Sequence, residues 1–269
     1  MIRKLTRAAL LLALLVAVAI PPARAALPRA LAAAVQYLRE QDSYSWEVIN
    51  GDPGPVEQTF ETARGTVKSV QRNLTPHLKG RISASGEMLI ERDWPDGLVL
   101  QTLVTADGAM VTNTPEGWLT HQEILEAIAA ERMRPDGPTD RVQWLPLAEA
   151  VDTRRPLVEL APFLEPQREF EASGDNFSCA VRIQAGGPAA AGDDSQTIGG
   201  ATVTLHVVGG VLRDYEIKSQ IARYVTRAKI PVVSNSDRIV ILTYLPVGRF
   251  DVPDEARAKL KSARPRAPG

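Results

Sequence analysis

Residues 78–118 read LKGRISASGEMLIERDWPDGLVLQTLVTADGAMVTNTPEGW, and four turn signals divide them: Ser85-Gly86, Asp96-Gly97, Asp107-Gly108 and Glu116-Gly117. The intervals are 11, 11 and 9 residues, the spacing of short antiparallel strands joined by tight turns. Between the glycines lie runs such as Met88-Leu-Ile-Glu, Leu98-Val-Leu-Gln-Thr-Leu-Val and Met110-Val-Thr-Asn. These are β-branched and apolar residues suited to a pleated, half-buried surface. The stretch predicts an antiparallel meander, with Leu98 to Val104 apolar on both faces.

A second sheet region follows downstream. Phe177 to Gln184 reads as a strand with Cys179, Val181 and Ile183 on its apolar side. Val203, Leu205 and Val207 alternate with polar residues, Gly209-Gly210 turns the chain, and Tyr215, Ile217 and Ile221 alternate on the return. Residues 238–245 are apolar at both parities, which predicts a central strand covered on both sides.

Upstream, Leu27, Leu31, Ala34, Val35 and Leu38 recur at helical spacing, predicting a helix over 28–41. Tyr44, Trp46 and Val48 then share one face of a strand. Residues 50–56 read as a loop, and 59–73 as an edge strand shielded by charge. After the meander, Thr120-His-Gln-Glu123 is a capping box, with Leu119 and Ile124 placed as a hydrophobic staple. The helix it starts is expected to run to Met133, with Ile124, Leu125, Ile128 and Ala129 on one face. Short helical pieces near 146–151 and 156–164 are candidates for a lid. A further short helix is expected over 252–260.

The ends of the chain carry different information. Arg3, Lys4 and Arg7 precede an uncharged run from Ala8 to Ile20, followed by Pro21-Pro22 and Ala23-Arg24-Ala25. This is the layout of a secretory signal peptide over 1–25, cleaved after Ala25. A membrane anchor is the alternative, but a run of 13 residues is short of the roughly 20 that a spanning helix needs. The expectation is a periplasmic or secreted protein with no stable membrane span, one domain over 26–260 and a disordered basic tail over 261–269. Without the leader, 27 basic side chains face 32 acidic ones, a balance near −5 that argues against a nucleic-acid partner. The single Cys179 permits no intramolecular disulfide, so folding rests on the core.

Chemical motifs are absent. His77, His121 and His206 stand singly, with no H-x-H or H-E-x-x-H spacing to place two metal ligands together. There is no G-x-S-x-G elbow, P-loop or dinucleotide fingerprint. No catalytic residue, metal or cofactor is expected.

The element order resembles a known family. A Tyr-x-Trp strand after the first helix, the meander ending in Asp107-Gly-Ala-Met-Val and Glu116-Gly-Trp118, the segment Gly210-Val-Leu-Arg-Asp-Tyr215-Glu-Ile-Lys218 and the closing Pro253-Asp-Glu-Ala256 carry the likeness. Together they resemble the lipoprotein-carrier (LolA-like) superfamily and related exported bacterial proteins. The resemblance spans most of 28–260. The chain departs from it in its long 130–200 region and in lacking a lipobox, and no family binding residue maps onto it. It implies an α+β fold, a strongly curved antiparallel half-barrel of about nine to eleven strands with helices on its concave face. The implied function is binding of a lipid or lipoprotein acyl chain by a monomer, without catalysis. Patterning makes Trp46, Ile90, Leu98, Leu100, Val104, Ile124 and Ile128 the cavity candidates. The alternative is a structural or protein-interaction module whose core is filled.

Overall fold

A computed structural model describes residues 26–51, 55–62, 65–72, 75–135, 139–185, 196–224 and 232–263. The predicted leader, most of the small-residue loop after residue 185 and the tail beyond residue 263 lie outside the described residues.

The fold is α+β, with one large antiparallel sheet of 11 strands that is curled but not closed. Its strands are β1 (Tyr44–Asn50), β4 (His77–Ile82), β5 (Met88–Asp93), β6 (Val99–Val104), β7 (Met110–Thr114), β8 (Gly117–Thr120), β9 (Glu171–Ser173), β10 (Asn176–Ala185), β11 (Gln196–Val208), β12 (Val211–Tyr224) and β13 (Val232–Thr243). The order across the sheet is β8-β7-β6-β5-β4-β1-β13-β12-β11-β10-β9. The predicted meander is thus one wing, the downstream strands are the other, and β1 lies between them. Gly86, Gly97, Gly108 and Gly117 all adopt positive φ, which explains why those turns select glycine.

The predicted edge strand over 59–73 is corrected. That region forms two strands, β2 (Pro55–Thr62) and β3 (Gly65–Arg72), which pair with each other in a separate two-stranded sheet. The predicted loop is correspondingly shorter, since Pro55 and Val56 already belong to β2. The short β9 is an element the sequence pattern did not single out.

Directly opposed residues share a sheet face. One face carries Trp46, Ile82, Ile90, Val104, Leu205, Val240 and Leu242, all buried. Helix α1 (Arg29–Arg39) lies on this face over β11 and β12, inserting Leu31, Ala34, Val35 and Leu38 into the largest apolar cluster. Helices α2 (His121–Arg132), α3 (Arg141–Glu149) and α4 (Pro156–Leu160) continue the cover. The capping box at the head of α2 forms as predicted. The Thr120 N–H donates to Glu123 Oε2 at 2.7 Å, and the Glu123 N–H donates to Thr120 Oγ1 at 3.2 Å. The buried stripe of α2 is rotated from expectation: Ile124, Ala127, Ile128 and Glu131 turn inward, whereas Leu125 and Ala129 are exposed. Glu131 is satisfied there by the Thr139 N–H and hydroxyl, which makes its burial tolerable.

The opposite face is covered only in part. Leu103, Val111 and Trp118 pack against Phe250 and Ala256 of the C-terminal segment, where α5 (Asp254–Ser262) lies on β7 and β8. Lys261 and Ser262, expected in the tail, belong to this helix. The stretch apolar on both faces is therefore buried at Leu100, Leu103 and Val104 but not at Val99, which is 49% exposed, and the predicted two-sided cover does not hold for β13. There Ile239 and Ile241 are both 38% exposed and Ile49, opposite Ile239, is 43% exposed.

One glycine is fixed by packing rather than by φ. A Cβ on Gly80 would lie 2.1 Å from the Trp46 ring, which rests on the strand at that point. Gly80→Ala is expected to displace Trp46 and lower stability by about 1–3 kcal/mol, read as a drop in the urea midpoint.

The helix head supplies a pH test. Burial alone would raise the Glu123 carboxyl, but Lys259 and the Thr120 donors outweigh it and hold the pKa below its ordinary value. Its contribution to stability is therefore present at neutral pH and is lost as pH falls through that depressed value. Lys259→Met should weaken the protein at pH 7, with the difference from wild type vanishing in acid; thermal melts across pH measure this.

Candidate functional site

A single cross-strand row defines the helix-covered face. Phe177 of β10 opposes Leu205, Leu205 opposes Tyr215, Tyr215 opposes Val240, and Val240 opposes Val48. The row continues from Val48 to Leu78, Arg92 and Leu100. Six of its members are apolar; Tyr215 and Arg92 are the polar ones. Tyr215 is fully buried and Arg92 is 3% exposed.

Both polar members reach from the sheet into the helical cover. Arg92 Nη1 donates to the carbonyl of Leu147 at 2.5 Å and to that of Ala150 at 3.5 Å, near the C-terminal end of α3. Its Nε and Nη2 are buried without a hydrogen-bond partner. Burial pulls the guanidinium down to about 10, because the charged form loses its water and gains no carboxylate. The guanidinium carbon stands 5.4 Å from the centre of the Trp94 ring. The Tyr215 hydroxyl donates to Glu159 Oε2 of α4 at 2.7 Å, and burial pushes its pKa far up.

The predicted cavity residues divide between two clusters that adjoin at Arg92. Trp46, Ile90 and Val104 belong to the larger one with α1. Leu98, Leu100, Ile124 and Ile128 belong to the second, with Trp94 and Trp144. Ile90 and Leu100 of the sheet are fully buried, and Ile124 of α2 is fully buried in the same cluster as Leu100. Trp46 borders a cavity.

That cavity, of about 100 Å³, opens at the end of the sheet where β1 finishes and β13 carries Arg238. Trp46, Val48, Leu78 and Pro156 give it apolar walls. Asp152, Arg154, Glu159 and Arg238 form its charged rim. Arg238 Nη2 pairs with Glu159 Oε1, and Arg154 forms a two-pronged pair with Asp152 at 2.9 and 2.7 Å. Burial lowers the Arg238 pKa, whereas Asp152 is held below its ordinary value by Arg154 against its own desolvation. A shallower hollow of about 290 Å³ adjoins it across Asn50 and Pro76, with His77, Asp93 and Trp94 on its walls. His77 Nε2 lies 2.6 Å from Glu47 Oε1.

Sequence reasoning passed over Arg92, Asp152, Arg154, Glu159 and Arg238. For two of them a signal existed. Arg92 shares parity with Met88 and Ile90, and Arg238 shares parity with Val240 and Leu242, so each is a cation at a core position of its strand. The other three lie around α4, and only the fold brings them to the sheet.

The remaining candidates behave as local structure. Cys179 is buried, and desolvation raises its pKa, away from the reactive thiolate. His206 lies 3.1 Å from Asp214 on the other face. Among the described residues, no three His, Cys, Asp or Glu side chains are grouped to hold a metal, and no helix is long and apolar enough to cross a membrane. No family model matches the chain, and no curated protein matches it.

Arg92→Met tests whether α3 is fastened from below. The substitution removes the donor to two carbonyls and should speed amide exchange across 141–150 by about ten-fold, the equivalent of one charged hydrogen bond. Exchange in α1 should be unchanged.

Proposed function

We propose that the chain is an exported, soluble, non-catalytic monomer that binds a hydrophobic ligand, a lipid or a lipoprotein acyl chain, against the concave face of a half-barrel sheet. The observation that carries this reading is the arrangement of polar groups in the Phe177–Leu100 row. Its two polar members, Tyr215 and Arg92, are the ones that bond to α4 and α3. Those helices are short, with 5 and 9 residues, and α3 contains Pro146. Although Leu145, Ala148 and Leu160 of this cover are buried, its polar anchors are exchangeable, so it can part from the sheet without breaking any strand pairing. A buried guanidinium with unmet donors is a costly group in a core built only for stability. The apolar surface that such a motion would bare includes Trp46, Ile90, Leu98, Leu100, Val104, Ile124 and Ile128. Resemblance to the lipoprotein carriers and the signal-peptide layout point to the same role outside the cytoplasm.

A second reading has its own support. Full burial of Ile90, Leu100 and Ile124 and a cavity of about 100 Å³ fit a filled core, hence a structural or protein-interaction module. Drug-sized ligand pockets begin at about 300 Å³, so carriage requires the cover to move.

Native mass spectrometry with lipid extraction separates the two. Protein from its native source should carry extractable acyl chains and bind a hydrophobic dye such as ANS. Leu100→Asp should abolish uptake, with circular dichroism reporting a retained fold. Adduct-free protein that rejects the dye, together with unfolding of Leu100→Asp from a buried unpaired charge, establishes the filled core instead.

A further inference from the structure

The small cavity at the mouth of the sheet has a charge pattern of its own. Glu159 is 12% exposed and Arg238 23% exposed, and they pair directly with each other at its edge. Arg154 and Asp152 repeat the pairing farther out, at 60% and 38% exposure. Positive and negative groups thus alternate around an aromatic and aliphatic wall made by Trp46, Val48 and Leu78.

The cost of entering such a rim depends on the charge of the visitor. A lone anion that took Arg238 would leave Glu159, still held by Tyr215, as an unpaired carboxylate beside a second negative charge. A lone cation that took Glu159 would strand Arg238 in the same way. Breaking a buried ion pair by removing one partner is strongly unfavourable. A molecule that carries both charges offers each cation and each carboxylate of the rim a replacement partner and strands none of them. Guanidinium groups also favour planar or tetrahedral oxyanions, which they grip with two donors.

We propose that this cavity binds a compact zwitterionic group, its oxyanion on Arg238 and Arg154 and its ammonium on Glu159 and Asp152, with adjoining methylenes against Trp46 and Val48. The volume of about 100 Å³ admits such a group but not a chain. The site deepens the carrier reading, on which its lipid form rests: the group is then the head of a lipid whose tail lies under α3 and α4. A free zwitterion of the same chemistry is the other source.

The test uses the delipidated chain without residues 1–25 and three probes in calorimetric titration. These are lysophosphatidylethanolamine, lysophosphatidylglycerol with the same acyl chain, and O-phosphoethanolamine. The zwitterionic lysolipid should bind about ten-fold more tightly than the anionic one, and Glu159→Gln and Arg238→Gln should erase that preference. Arg154→Gln, on a largely exposed side chain, keeps the test decisive if a rim variant fails to fold and should reduce the preference several-fold. Equal affinity for the two lysolipids, or a preference unchanged in folded Glu159→Gln and Arg154→Gln, overturns the zwitterion site and leaves the carrier reading standing. Binding of O-phosphoethanolamine with neither lysolipid upholds the site and overturns the carrier reading. Binding of none of the three overturns both.

Discussion

The pairing of β1 with β13 is the constraint on which the rest of the structure depends. Ser45 to Asn50 run antiparallel to Arg238 to Thr243, while the other edge of β1 pairs with β4. The first described strand is thereby joined to the last described one, and each of the two meanders becomes a wing of one sheet. The apolar face that carries Trp46 is covered in both wings by the shared layer of helices. Contacts this distant in sequence are slow to form, because loop closure is paid before the ladder compensates it. Trp46 on Gly80 and Leu242 opposite Trp46 place the largest side chain of β1 at that junction.

An open sheet has two faces to cover, and this chain treats them differently. The Trp46 face receives four helices and most of the core. The other receives the C-terminal segment over β5 to β8, anchored by the Ser43 hydroxyl, which accepts from the Val247 N–H at 2.6 Å. Ile49, Ile239 and Ile241 are left half-exposed near the centre, flanked by Glu47 and Glu216. Scattered exposed apolar residues are ordinary on a protein surface. Buried polar groups on an apolar face are not, which gives Arg92 and Tyr215 more weight than any apolar residue around them.

Polar contacts also give the helix-covered face a direction. At the end where β12 begins, Tyr244 donates to the Leu212 carbonyl at 2.7 Å and stacks edge-on against Tyr37 of α1, a fixed closure. At the end where β1 finishes, the contacts are ion pairs around a cavity. On the proposed reading the ligand would enter at this end, past the charged rim and toward the short helices. That asymmetry is compatible with the proposed loading, since the cover could part without breaking the sheet ladder.

Local periodicity was enough to determine much of this protein. Glycines at positive φ mark the meander turns, the i, i+3, i+4, i+7 stripe of α1 is the buried one, and the Thr120–Glu123 box forms because all its parts lie within one turn. Alternation also determined that Tyr44, Trp46 and Val48 of β1 enter the core, since side-chain direction along a strand has a period of two, whereas of the three β12 residues it named Tyr215 is buried and Ile217 and Ile221 are only partly so. Tertiary structure decided what lies opposite them. The pairing of β2 with β3 away from the main sheet, the exposure of Ile239 and Ile241 and the rotation of α2 depend on which surfaces meet, and periodicity is silent about that. The charged rim shows the limit most clearly. Asp152, Arg154 and Glu159 look like ordinary solvated loop and helix charges in sequence, and they gather around one cavity because the fold sets them beside Arg238, a cation whose partner the local pattern had no means to specify.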